Sequence, residues 1–199
     1  MKLALMGSAM FARDSHSARP TDAGYSVVEL LVTLAMAAIV LGMSVGFYPR
    51  AVSIVRGDAD LRVLYWEMKS ARETAISQRR LVEVRFTPPN MITSVRHEIP
   101  NGTTVLSNAV LEHGTQFLLF AGQPDTPDGF GRLTATYFNG VAAVMFTSDG
   151  QLTDANGNPV NGSVFLGQPG KPDTARSLTV FGPTATIRTY RWTGANWGH

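Results

Sequence analysis

Between Tyr25 and Tyr48 the chain reads YSVVELLVTLAMAAIVLGMSVGFY, an apolar run in which Glu29 is the only ionisable group besides the two terminal tyrosines. Charge returns at Arg50. At about 1.5 Å rise per residue such a run makes a helix of about 36 Å, enough to cross a hydrocarbon layer of about 30 Å. Pro49 stands at the boundary, where proline kinks or interrupts a helix, and Tyr48 carries the amphipathic ring favoured at a membrane interface. Beyond it, apolar residues recur at Ile54, Leu61, Leu64, Met68, Ala71 and Ala75, the stripe of an amphipathic helix. Arg56, Asp60, Glu67, Arg72 and Glu73 are then expected to occupy most of the remaining helix surface. The pattern predicts one long helix ending near Gln78 to Arg80.

From there the period switches to two. Val82, Val84 and Phe86 alternate with Leu81, Glu83 and Arg85, and Pro88-Pro89-Asn90 stops the run, as at a strand followed by a turn. Further strands are expected at Met91–Arg96, Phe117–Phe120, Val141–Phe146, Ser163–Leu166, Leu178–Phe181 and Thr186–Trp192. Turn-rich stretches fall at Gly122–Gly131, Ser148–Gly150 and Asn156–Gly162. No second long helical pattern appears. The expected class is α+β: a long N-terminal helix, transmembrane in its first half, packed on a mainly antiparallel β-sheet head. The expected divisions are a leader over 1–24, a transmembrane helix over 25–48, its amphipathic continuation over 49–80 and a β-rich head over 81–199.

Two other readings of the apolar run fit it less well. A secretory signal needs only about 7–15 apolar residues before its cut site, and Ala35-Met36-Ala37 would place that cut inside the run. A buried core helix usually has about 10–14 apolar residues and a polar stripe, which this segment lacks. Glu29 then stands out, because a carboxylate within a lipid span costs roughly 2.5–3.5 kcal/mol on insertion scales and needs a partner or a function. A polar stretch, Met1 to Gly24, precedes it. A cut after Gly24 would create an α-amine on Tyr25 about one helical turn from the Glu29 carboxylate, and the two charges could neutralise each other.

The sequence Gly24-Tyr25-Ser26-Val27-Val28-Glu29, followed by about twenty apolar residues, resembles the processing site of type IV prepilins and pseudopilins. The resemblance implies that a prepilin peptidase cuts after Gly24, that Tyr25 becomes an N-methylated mature N-terminus, and that Glu29 pairs with that amine when the subunit docks into a filament. Tyr25 departs from the commoner phenylalanine and keeps the aromatic ring. In the head, Met68 to Ile76 followed by Leu81–Phe86 resembles the helix end and first strand of the GspH/FimT family of minor pilins and pseudopilins. Val144 to Gly150 and Arg176–Arg191 resemble a strand-and-turn and the last hairpin of that family. The resemblance implies a structural minor pseudopilin or minor pilin of a type II secretion or type IV pilus filament. Its partners would be other pilin or pseudopilin subunits, the peptidase and inner-membrane lipid, with the head in the periplasm.

Composition narrows the remaining choices. A net charge of +2 is too small for a nucleic-acid footprint, and Cys 0 excludes disulfides, thiolate metal sites and cysteine nucleophiles. His16, His97, His113 and His199 stand far apart and read as surface or linker residues. Gly167-Gln168-Pro169-Gly170-Lys171-Pro172 is too short for a phosphate loop, with proline in place of the magnesium-binding hydroxyl residue, and reads as a turn. Asp154-Ala155-Asn156-Gly157-Asn158 begins like a calcium loop. Pro159 stands where that loop turns on glycine, and Phe165 where its bidentate glutamate belongs, so a hairpin loop is expected. No catalytic motif, metal or cofactor site is expected. The alternative function is a DNA-binding minor pilin using Arg176, Arg188 and Arg191 near Tyr190, Trp192 and Trp197. The DNA-capturing relatives place an arginine-rich pair directly after a glycine of that hairpin, whereas Gly182 is followed here by Pro183-Thr184-Ala185-Thr186. A single-span periplasmic protein with an unrelated ligand is a third reading.

Overall fold

The computed structural model describes residues 25–141 and 143–199. The chain divides into two compact units, Met1–Val45 and Gly46–His199. The helical assignment α1 covers Val27–Gln78 and includes Pro49.

Among the described residues of the second unit, eleven strands follow α1: β1 (Val82–Thr87), β2 (Met91–His97), β3 (Thr103–Val110), β4 (Gln116–Phe117), β5 (Thr136–Tyr137), β6 (Ala143–Phe146), β7 (Leu152–Thr153), β8 (Gly162–Gln168), β9 (Lys171–Phe181), β10 (Thr186–Trp192) and β11 (Trp197–Gly198). They form two sheets, in the orders β3-β2-β1-β6-β7 and β11-β10-β9-β8-β4, with β5 also pairing with β8. Every pairing between these strands is antiparallel. The expected α+β class is the observed one.

One core joins the helix to both sheets. Leu64, Met68, Ala71 and Ala75 of α1 pack with Val82 and Val84 of β1, Val144 and Phe146 of β6, Val164 and Leu166 of β8, and Leu178 and Val180 of β9. The 3.6-residue period of the helix and the two-residue period of the strands therefore meet at one apolar seam. Burying a leucine- or valine-sized side chain there contributes about 1.5–3 kcal/mol. A second cluster, Phe165, Ala175, Tyr190 and Trp197, covers the opposite face of the six-stranded sheet.

Because β8 is covered on both faces, all seven of its residues are buried. Two glycines allow this. A Cβ on Gly162 would lie 2.0 Å from the Phe138 ring, and one on Gly167 would lie 2.4 Å from the Phe120 ring. Each missing side chain is a slot for an aromatic one.

Four expectations change. Asp60 is buried, accepting the Glu112 N–H at 3.0 Å, and Glu67 accepts hydroxyls from Ser94 and Ser107, so two presumed surface acids of the helix face the head. The strand expected over Phe117–Phe120 is the short β4 at Gln116–Phe117, followed by one more bond to β8 from the Leu118 N–H to the Phe165 carbonyl at 3.0 Å, while Leu119 and Phe120 pack on the second cluster. β9 begins at Lys171 instead of Leu178, and the polar residues Thr174, Arg176 and Ser177 ahead of Leu178 are buried. β3 was not expected at all.

Candidate functional site

The first feature is the apolar end of α1. Val27–Ser44 has a mean hydropathy of 2.2 over 18 residues, with none of that stretch buried, and it is long and apolar enough to cross a membrane. Its two hydroxyl groups are satisfied locally. Thr33 donates its hydroxyl to the Leu30 carbonyl at 3.0 Å, and Ser44 donates to the Val40 carbonyl at 2.9 Å. Neither hydroxyl needs an outside partner, as lipid requires.

The start of this helix carries two of the residues expected to form a processing and docking site, Tyr25 and Glu29. Tyr25 is 75% exposed and lies just outside the helix. The Leu30 N–H bonds to the Ser26 carbonyl at 3.1 Å, which makes Ser26 the cap. Glu29 lies in the first turn, where the unpaired N–H groups and the helix dipole favour a carboxylate. Ser26-Val27-Val28-Glu29 also has the sequence form of a capping box. Gly24 lies outside the described residues.

The second feature, within the second unit, is a clamp between α1 and β9. The Arg176 side chain has no exposed surface. Its Nε donates to Asp58 Oδ1 at 2.5 Å, Nη2 to the Ile54 carbonyl at 3.2 Å, and Nη1 to the Asp173 and Ala175 carbonyls at 3.2 and 2.9 Å. The planar fork thus ties a helical turn to a strand, a task for arginine more than lysine. Gly57 makes room: a Cβ there would sit 3.1 Å from the Thr174 carbonyl oxygen. Lys171 extends the clamp by donating to Ser53 Oγ at 3.0 Å.

A latch on the last hairpin is the third feature. Asp128 accepts from Thr179 Oγ1 at 2.5 Å, from the Tyr190 hydroxyl at 2.9 Å and from Arg188 Nη1. Burial pushes the Asp128 carboxyl up, but these three hydrogen bonds and the Arg188 charge outweigh it and hold the carboxyl below the usual range. Tyr190 is pushed up, first by burial and then by the carboxylate beside it. Similarly, a hydrogen bond from Arg85 outweighs burial and, with one from His97, holds Glu83 below the usual carboxylate range. His97, expected as a surface residue, thus bonds Glu83 at 3.0 Å.

These contacts redistribute the three arginines considered for DNA. Arg176 is entirely buried and bonded, so it has no face to offer a phosphate. Arg188 is engaged by Asp128, although 57% of its side chain is exposed. Arg191 is exposed and lines a groove of about 370 Å³ with Leu61, Arg62, Tyr65, Thr189 and His199. The sequence grouped them by proximity along the hairpin, and the structure buries the first, engages the second and leaves the third exposed. The Asp154 segment forms a turn in which Asp154 accepts the backbone N–H groups of Asn156 and Asn158 at 2.9 and 2.8 Å. Among the described residues, no group of three or more His, Asp or Glu side chains is placed to hold a metal.

The sequence matches no protein-family model and no curated protein. Among solved structures, the type IV minor pilin FimU of Pseudomonas aeruginosa is similar at 16% identity and a TM-score of 0.45, over 66% of this chain and 90% of that one. The minor pseudopilin EpsH from the Type 2 Secretion System of Vibrio cholerae is similar at 19% identity and a TM-score of 0.45, over 71% of this chain and 99% of that one.

Proposed function

We propose that this chain is a structural, non-enzymatic subunit of a pilin-type filament, a minor pseudopilin or minor pilin, held in the inner membrane by the first half of α1 with its head in the periplasm. The observation that carries this reading is a register. A glycine, an aromatic residue and, four positions on, the one carboxylate of a lipid-length apolar helix stand at Gly24, Tyr25 and Glu29. Cleavage after Gly24 exposes an amine on Tyr25, where N-methylation follows.

During assembly the Glu29 carboxylate meets such an amine on a neighbouring subunit, and mutual neutralisation of the two charges in an apolar surrounding fixes one axial register. A free carboxylate in lipid is costly, so the docked position is favoured over any other. The clamp of Arg176 on Asp58 supports the same reading, because a subunit that transmits load between helix and head needs the two joined by more than an apolar seam. Partners are other subunits of the filament, the processing peptidase and membrane lipid. Service in secretion is the finer reading of the same site.

The test replaces Glu29 in the cell that makes the protein. Glu29→Ala is expected to remain in the membrane fraction and to be processed, while its recovery in sheared filaments falls at least about tenfold, equivalent to about 1.4 kcal/mol of lost docking. Normal incorporation of Glu29→Ala would remove the docking role.

A further inference from the structure

Residues 122–131 form a loop bonded to itself. Asp125 accepts the Thr126 and Gly131 N–H groups at 2.7 and 2.8 Å, and the Gly129 N–H donates to the Thr126 carbonyl at 2.9 Å. Gly122 at φ 80° and Gly131 at φ 101° bound the loop, in backbone conformations that glycine adopts without strain. Gln123 and Thr126 are its buried residues, while Pro124 and Pro127 are exposed.

Three ties hold this loop to the face of the six-stranded sheet that points away from α1. The Trp197 indole N–H donates to the Pro124 carbonyl at 2.9 Å. Asp128 accepts from Thr179, Tyr190 and Arg188. Phe130 stacks on Phe181 with ring centroids 6.2 Å apart, and Phe181 is 42% exposed, so this apolar contact lies at the rim. Between the ties the strand register sets two serines. Ser163 stands opposite Thr179, and Ser177 stands opposite Tyr190. Each serine is therefore the cross-strand neighbour of a residue that Asp128 grips.

Both sides of this seam are polar and incompletely matched. Ser163 and Ser177 have no exposed surface. Ser163 Oγ, Ser177 Oγ, Gln123 Nε2 and Thr126 Oγ1 have no hydrogen-bond partner, and they make up four of the eight such buried side-chain atoms among the described residues. A buried polar atom without a partner raises the free energy of the closed form, and contact with solvent relieves it. Lifting the loop gives up little apolar burial, because both of its buried residues are polar. The ties favour closure and the orphaned atoms oppose it, the balance expected of a segment that opens below the free energy of global unfolding.

We propose that residues 122–131 are a hinged strap that opens as one unit while the core between α1 and the sheets stays folded, uncovering Ser163 and Ser177. In the closed form the strap's own carboxylate engages Arg188 and Tyr190 of the last hairpin, and opening makes both available to an outside hydrogen-bond acceptor. Every contact involved lies within the second unit, so the strap is independent of the filament reading.

With no cysteine in the chain, a single introduced thiol reports its own exposure. Ser177→Cys is a mild probe, because the Ser177 hydroxyl has no bond to lose, and Ser163→Cys repeats the measurement at a second position. Ala75→Cys, in the fully buried stripe of α1, is the reference for the core. In the full chain in detergent micelles, a thiol reagent is expected to label both serine-site variants at least about tenfold faster than Ala75→Cys, with a weaker dependence on denaturant. Adding Asp128→Asn is expected to speed the serine-site labelling by at least about tenfold more than it speeds Ala75→Cys. One common rate and denaturant slope for all three thiols would mean that the strap opens only with the whole head, and would overturn the proposal. So would equal acceleration of all three by Asp128→Asn, or labelling of the serine-site thiols at the rate of free cysteine, since no closed form would then exist. Fast labelling at only one of the two serine positions, in variants with unchanged unfolding midpoints, would show that residues 122–131 do not move as a unit and would overturn it as well.

Discussion

Arg176 of β9 and Asp58 of α1 form an ion pair at 2.5 Å in which the guanidinium is completely buried and the carboxylate side chain is 37% exposed. The asymmetry sets the energetics. Most of the desolvation falls on the arginine, and three backbone carbonyls beside the carboxylate repay it. Truncating one partner of a buried pair typically costs about 3–5 kcal/mol, and the exposure of Asp58 lowers the expectation here. Arg176→Ala should lose about 2–3 kcal/mol in a denaturant titration of the full chain in micelles. Arg176→Lys should recover less than half of that, because an ammonium cannot span Asp58 and the Ile54 carbonyl in one plane.

The glycine slots of β8 predict a steric effect. Gly162→Ala places a methyl 2.0 Å from the ring of Phe138, which is itself buried. Overpacking of this kind costs about 1–3 kcal/mol. The double variant Gly162→Ala with Phe138→Leu should be more stable than the sum of the two single losses implies. Strict additivity in the same titration would show that ring and glycine do not interlock.

Much of this arrangement is legible in the sequence wherever burial follows apolarity. Leu64, Met68, Ala71 and Ala75 mark the buried helix stripe, and Val82 and Val84 the inward face of β1. Legibility fails where polar residues are buried with partners distant in the chain. Thr174, Arg176 and Ser177 look like surface positions, yet all three are buried in β9, so the strand reads as starting seven residues late. Asp60 and Glu67 fail similarly, their partners lying 52 and 40 residues away. β3 is missed for the opposite reason: as an edge with exposed positions throughout most of its length, it has no inward period to read. The apolar helical stretch Val27–Ser44 is legible because it rests on local composition and spacing alone.

Acid sensitivity follows from Asp128. Its folded carboxyl lies below the ordinary value, so the folded state binds its proton less readily than the unfolded chain does. The associated stability is present above the unfolded value of about 3.9 and is lost as pH falls through the depressed folded value. Unfolding midpoints should therefore decline below about pH 4, and Asp128→Asn should flatten that decline while lowering the neutral-pH midpoint. An unchanged acid slope in Asp128→Asn would assign the acid response to other carboxylates.

The nucleic-acid alternative makes its own forecast. With Arg176 buried and Arg188 engaged by Asp128, Arg191 is the one residue of the three with neither role, and a single phosphate contact gives a salt slope of about −0.9. Fluorescence anisotropy of labelled duplex DNA at physiological salt should show binding no tighter than the nonspecific range of about 10⁻⁴–10⁻⁶ M. Nanomolar binding weakened by Arg188→Ala and Arg191→Ala together would restore the alternative.

The filament reading turns most directly on the N-terminus of the protein as the cell makes it. Intact-mass and N-terminal peptide mass spectrometry of the chain purified from membranes should find it beginning at Tyr25, with one added methyl group on the α-amine. A chain that begins at Met1, or at any residue other than Tyr25, would leave Glu29 without the amine it is proposed to meet and would contradict the account.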